Sequence, residues 1–162
     1  LSGGLLIQNR QRAVPVNTRL LRGITKSLLT ELLEVENFDL AIYIVRAPQM
    51  AQINETFLQH TGSTDVITFD YSNVLPAGHR QHVHGEIFIC IDDAKKQALE
   101  FRTSWQSEVA RYVIHGVLHL LGFDDLRPAA RRKMKREENR LLKKVERLFA
   151  LSKLGASPKL RA

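Results

Sequence analysis

His115-Gly116-Val117-Leu118-His119-Leu120-Leu121-Gly122-Phe123-Asp124-Asp125 carries two histidines four residues apart, a glycine three further on and an acid three beyond that. On an α-helix, residues four apart stand on one face, so both imidazoles can serve one ion. Gly122 is where such a helix ends, because glycine takes the left-handed conformation without steric cost. The chain then turns, and Asp125 swings back as a third ligand. Two nitrogens, a carboxylate and an open fourth position are what a catalytic zinc site requires. The apolar neighbours lower the local dielectric and strengthen attraction between ion and ligand. The spacing is that of the long zincin signature. A zinc peptidase carries its general-base glutamate directly after the first histidine; Gly116 stands there instead, which argues against peptide hydrolysis by the usual route.

Around this helix, which the pattern starts at Ser104, the periodicity predicts alternating strands and helices. Leu5–Gln8 reads as a first strand. Thr18–Leu33 reads as an amphipathic helix, N-capped by Asn17, with Leu20, Leu21, Ile24, Leu28 and Leu32 on one stripe. Phe38–Val45 is a second strand, and Pro48–Leu58 a helix whose Met50, Ile53 and Phe57 face the sheet. Thr64–Phe69 is a third strand and His84–Ile91 a fourth, apolar enough to be central. Asp92 or Asp93 caps a helix to about Phe101, and Pro128 opens the last one, to about Leu151. The chain therefore reads as one domain over residues 1–151, with 152–162 as a flexible C-terminal tail.

With 162 residues there is enough chain for one core, and an apolar fraction of 44% is ordinary for a globular protein. Cys90 is the single cysteine, so no intrachain disulfide forms; within Ile87–Ile91 it reads as a small buried hydrophobe. Nothing resembles a secretory signal or an eighteen-residue apolar span, so a soluble cytoplasmic protein is expected. The net charge of +7 favours an anionic partner. Much of that charge sits on the last helix, where residues 127–147 hold ten Lys or Arg against three Glu. Its apolar stripe (Met134, Leu141, Leu142, Val145, Leu148 and Phe149) should dock on the body and turn the basic face outward, as a phosphate-contacting surface or simply a solvated one.

The run His115–Asp125 resembles the signature of the YbeY family, bacterial rRNA maturation factors described as single-strand-specific endoribonucleases. That signature is histidine, glycine, any residue, leucine, histidine, leucine, any residue, glycine, aromatic, aspartate, histidine, and each specified position agrees except the last. Asn54 to Phe69, ending Ser63-Thr64-Asp65-Val66-Ile67-Thr68-Phe69, resembles the second signature of the family, and Gly85-Glu86-Ile87-Phe88-Ile89-Cys90 its third. The resemblance implies a compact, zincin-like α+β domain with a mostly parallel sheet of about four strands packed by four to five helices. It implies one zinc per chain, with His115 and His119 as the first two ligands and Asp125 where the third histidine usually stands. Carboxylate is a legitimate zinc ligand, but its charge makes the site less electrophilic. A second departure is Leu58, where the family usually has an arginine lining the cleft. Leucine cannot clamp a phosphate, so Arg46, or Arg80 and His82, are the candidates to replace that charge.

The function the resemblance implies is that of a zinc-dependent endoribonuclease acting in 16S rRNA 3'-end maturation and small-subunit biogenesis, with zinc-activated water attacking a phosphodiester. Glu86 is a candidate proton acceptor or histidine-orienting residue, and Asp65 a candidate catalytic or cleft-shaping carboxylate. Arg80, His82, Arg132, Lys135 and Arg140 are the candidate RNA contacts. The implied partners are single-stranded rRNA and the small ribosomal subunit or its assembly factors; no membrane and no DNA are expected, and the protein is expected to be a monomer. Two alternatives stay open: a non-catalytic, zinc-stabilised ribosome-assembly protein, and a zinc metallopeptidase.

Overall fold

Among the described residues, four strands form one sheet in the order β1-β2-β4-β3: β1 (Gly3–Asn9), β2 (Asn37–Val45), β3 (Val66–Asp70) and β4 (His82–Cys90). The computed structural model describes residues 3–72 and 82–155. β1, β2 and β4 run parallel, and β3 pairs antiparallel with β4 at one edge. Parallel neighbours need a crossover, supplied between β1 and β2 by α1 (Thr18–Ser27). The other helices are α2 (Ala47–Leu58), α3 (Ile91–Phe101), α4 (Trp105–Leu120) and α5 (Pro128–Leu148). The expected α+β class, sheet size and helix number are therefore present.

α4 crosses one face of the sheet, and two glycines set how close it comes. A Cβ on Gly116 would lie 2.6 Å from Ile87 Cδ1, and one on Gly85 would lie 2.7 Å from a Leu120 methyl and 2.3 Å from the Phe69 carbonyl oxygen. Backbone contact at this range is open only to glycine. The core between helices and sheet is built on Leu21, Ile24, Ile42, Ile87, Val113 and Val117, all at most 1% exposed. The opposite face of the sheet carries a smaller cluster of Val45, Met50, Ile67, Phe88 and Cys90 under α2. Cys90 is a buried hydrophobe as expected, its thiol pushed up to about 11 chiefly by burial.

Several local expectations are corrected. The predicted helix over 18–33 leaves α geometry at Leu28, where residues Leu28–Leu32 form a π turn with Leu33 N–H donating to Leu28 O at 3.0 Å. The wider turn leaves both Leu28 and Leu29 fully buried. Neither Asp92 nor Asp93 caps α3; Cys90 is the cap position and its side chain makes no capping bond. Asp92 instead accepts from Ala47 N at the start of α2 (2.7 Å) and from the Arg46 guanidinium, so it serves the neighbouring helix. Phe57 does not face the sheet core: it is 65% exposed, its ring edge-on to Phe69. The predicted tail from 152 begins with ordered chain, because Leu151–Gly155 is a 3-10 turn whose Leu154 is fully buried and accepts from Asn17 N at 2.8 Å. Packing therefore reaches Gly155, and 156–162 lie outside the described residues.

Candidate metal centre

Ser104 caps α4 as expected, accepting from Ser107 N at 3.1 Å. The other end is a Schellman turn: Gly122 at φ 96° lets Gly122 N donate to His119 O (3.0 Å) and Phe123 N to Leu118 O (3.0 Å). This reversal brings Asp125 back over the last turn of the helix. Asp124 is held away from the histidines by accepting from Leu126 N at 2.6 Å.

The three donors converge. His115 Nε2 and His119 Nε2 are 3.1 Å apart, and Asp125 Oδ2 lies 3.5 Å from His119 Nε2 and 4.0 Å from His115 Nε2. Ligand atoms about 2.0–2.2 Å from a tetrahedral ion stand roughly 3.4 Å from one another, so the set fits one ion with small adjustments. Among the described residues, these are the only three His, Cys, Asp or Glu side chains so grouped.

Which nitrogens face the site is fixed from behind. His115 Nδ1 is 2.9 Å from Glu138 Oε2, and His119 Nδ1 is 3.0 Å from the Phe123 carbonyl oxygen. Both partners are acceptors, so each ring carries its proton on Nδ1 and presents the Nε2 lone pair to the centre. Glu138 is 4% exposed and also accepts from Arg111 Nη1 at 2.8 Å. Burial would raise its pKa, but the bonds from His115 and Arg111 and the nearby Lys135 charge outweigh it and hold it at about 2.

Two cavities meet at the triad, sharing Asp65, Val66, His115 and Asp125 in their walls. One, of about 500 Å³, lies between the triad and the β3 wall of Val66, Thr68 and Asp70, with Leu58 on its flank. The other, of about 280 Å³, lies on the α5 side of His115 and reaches Gln97, Tyr112 and Lys135. Leu58 thus faces the cleft where the resemblance puts an arginine, and it remains 42% exposed.

The other predicted site residues divide. Asp65 lines both cavities but is occupied, accepting from Val66 N (2.8 Å), Thr64 Oγ1 (3.3 Å) and Gln97 Nε2 (3.0 Å); it shapes the floor. Glu86 is redirected. Ile87 and Gly85 meet α4, so by strand alternation Glu86 points to the opposite face, where it accepts from Tyr71 OH at 2.8 Å. His82 shares that opposite face, its ring 6.1 Å from that of His84. Glu86 therefore neither orients a ligand nor receives a proton at the triad, and His82, a candidate RNA contact, lies on the face away from it.

Among the cations, Arg46 pairs with Asp92 at 3.1 Å and lines neither cavity. Arg140 is paired with Glu137 along the surface of α5, and Arg132 faces outward beside Arg136. Lys135 reaches the smaller cavity, and Arg80 lies outside the described residues. Sequence reasoning missed Glu138, Arg111, Arg131, Tyr112 and Gln97. For Glu138 a signal existed: it is an acid set within the stripe of Met134, Leu141, Leu142 and Val145.

Comparison with known proteins places this geometry. The family model described as "Endoribonuclease YbeY" matches residues 6–146. The chain belongs to the YbeY family. A protein named endoribonuclease YbeY from Chlorobium phaeovibrioides is 39% identical over 94 residues, 58% of this chain and 60% of that one. One of the same name from Parabacteroides distasonis is 36% identical over 104 residues, 64% and 69% of the two chains. The match thus spans about three fifths of the Chlorobium relative. A solution structure of a Thermotoga maritima protein is similar over 98% of this chain and 99% of its own, with a TM-score of 0.64 at 20% identity, and shows the same fold.

Proposed function

We propose that this YbeY-family chain is a metal-dependent endoribonuclease that cuts single-stranded RNA, acting on the 3' end of small-subunit rRNA during ribosome biogenesis in the cytoplasm. The observation that carries the reading is the convergence of His115, His119 and Asp125 where two cavities meet, with Lys135 and Arg131 on the α5 side. A zinc ion held there would supply a Lewis acid and a water of lowered pKa.

The rest is the work of the chain's own side chains. Glu138 and the Phe123 carbonyl lock the imidazoles in the tautomer that coordinates. Val66, Ile67 and Leu58 give the larger cavity apolar surface that sheds water from the reacting groups. Lys135 and Arg131 neutralise strand phosphates beside the centre, a duty Leu58 cannot perform. Arg132 adds to the approach surface. The small ribosomal subunit is the partner, and the protein acts as a monomer.

The peptidase alternative is disfavoured by direction as well as by identity. The Cβ position of residue 116 points into Ile87, so a glutamate there would enter the core. Leu58 on the cleft wall favours a second reading, a zinc-stabilised assembly factor that binds RNA without cutting it. Incubating single-stranded RNA with the zinc-loaded protein decides between them. Cleavage that disappears with a chelator and with His115→Ala supports the nuclease; binding without cleavage in the loaded wild type supports the assembly factor.

A further inference from the structure

The smaller cavity has a composition that a metal cleft does not need. It runs from His115 between α3, α4 and α5, and it holds about 280 Å³. Ligand pockets usually enclose about 300–1,000 Å³, so this one suits a single nucleoside rather than a length of chain. Its walls include Val66 and Met134, apolar surfaces of the kind against which a flat ring packs. Tyr112 lies along it, 3% exposed, and among the described residues its hydroxyl has no hydrogen-bond partner. An orphan buried hydroxyl costs about 1–3 kcal/mol relative to one that is paired. Burial, with the Asp65 and Glu108 carboxylates nearby, pushes the phenol pKa upward, so the hydroxyl keeps its proton and is a donor. Gln97 and Asp65, joined by a 3.0 Å bond from Nε2 to Oδ2, add an amide and a carboxylate to the same lining.

Charge argues against a simple anion hole. The lining carries Arg111, Arg131 and Lys135, but also Asp65, Asp125 and Glu138, three cations against three carboxylates. Arg111 is spent on Glu138 and Asn139. Arg131 uses its Nε on the Asp125 carbonyl oxygen (3.1 Å), leaving the tip of its guanidinium available, and Lys135, with Nζ 3.4 Å from Glu138 Oε1, keeps its side chain 60% exposed. A group with a phosphate among these exposed cations and a neutral, hydrogen-bonding ring beside Tyr112 and Gln97 matches the lining. A nucleotide is such a group.

Resting on the RNA reading above, we infer that this cavity is a base-recognising subsite: it receives one unstacked base of the strand next to the bond at the metal centre, its edge bonded by Tyr112 and Gln97 and its phosphate held by Lys135 and Arg131. The two cavities share Asp65, Val66, His115 and Asp125, so a strand can occupy both at once. Single-stranded RNA is commonly read in this way, by splayed bases hydrogen-bonded at their edges. The metal centre would then act preferentially beside one kind of base.

The test is binding of the zinc-loaded full chain to short single-stranded RNAs of equal length, each of one base type, and to the preferred oligomer carrying an abasic residue at successive positions. Wild type should prefer one base by roughly fivefold to tenfold, the effect of about one hydrogen bond, and should lose that margin when one particular position is abasic. Tyr112→Phe, which deletes only the unpaired hydroxyl and should leave the melting temperature unchanged or raised, should bring the base types within about twofold while keeping the salt dependence. Gln97→Ala should act in the same direction. Equal binding of all base types by wild type overturns the inference, with the cavity then holding phosphate or ordered water only. A preference that survives in both variants overturns it as well. Because the readout is binding, failure of the nuclease reading shows separately, as RNA bound with base preference yet left uncut.

Discussion

His115 on α4 and Glu138 on α5 are 23 residues apart in sequence and 2.9 Å apart in space, Nδ1 to Oε2. A buried carboxylate behind an imidazole fixes the ring and raises its basicity as a ligand, and loss of such a partner usually costs 10- to 100-fold in metal affinity. Glu138→Ala should therefore lower zinc affinity by about that factor, and Glu138→Gln, which can still accept from Nδ1, by less. Chelator competition reads both. Equal affinity in all three proteins would show that the α4 turn positions His115 unaided.

The same contact makes stability depend on acid. Glu138 has its folded pKa held at about 2 against an ordinary 4.5, so its stabilisation is complete above 4.5 and disappears as pH falls towards 2. For a buried group such a shift is worth on the order of 3 kcal/mol. Metal-free wild type should melt well above metal-free Glu138→Gln at pH 7, and the gap should close between pH 4.5 and 2. A gap that stays constant over this range would mean that the carboxylate charge contributes nothing to folding.

Asp125→His supplies the imidazole usual in the family. Zinc retention should be equal or tighter, since imidazole suits this borderline-soft ion and one negative charge is removed. A large loss of affinity with the fold intact would mean that the turn after Gly122 admits only the shorter carboxylate.

Gly116→Ala should destabilise the protein although alanine is the better helix former by about 1 kcal/mol. The new methyl would press on Ile87, 2.6 Å from its Cδ1 and about 3 Å from two more of its carbons, and overpacking of this kind costs about 1–3 kcal/mol. Denaturant unfolding measures the net change. A gain in stability would show that α4 can rise off the sheet without cost.

Salt dependence separates the cations of α5. Lys135→Gln and Arg131→Gln should each reduce the slope of log K against log salt for single-stranded RNA by roughly 0.7. Arg140→Gln should change it little, because that guanidinium is held by Glu137 through Nε and Nη2 and lines neither cavity, whereas Lys135 makes a single 3.4 Å contact with Glu138 and reaches the smaller one. A larger effect at Arg140 than at Lys135 would move the RNA path to the outer face of the helix.

Much of this was legible in the chain. The spacing of His115, His119, Gly122 and Asp125 is local, and a helix with a glycine stop converts it into geometry almost without tertiary help. For Glu86 and His82, strand alternation says that they share a face but not which face meets α4; the contacts of Gly85 and Ile87 decide that. Net charge along α5 says nothing of pairing, and so hides the i,i+3 contact of Arg140 with Glu137. It hides Glu138 equally, although the place of that acid within an apolar stripe marks it as buried and in need of partners. The Tyr112 cavity depends on three helices and the start of a strand meeting, and no periodicity within any one of them announces it.

What occupies the triad decides most directly whether His115, His119 and Asp125 form a metal centre. X-ray absorption on zinc-loaded protein, with metal content measured alongside, should give one zinc per chain with two imidazole nitrogens at about 2.0–2.1 Å, a carboxylate oxygen at about 2.0–2.2 Å and one exchangeable light ligand. His119→Ala should abolish stoichiometric binding. A substoichiometric metal, or a full site that persists in His119→Ala, would contradict the assignment of His115, His119 and Asp125 as the centre.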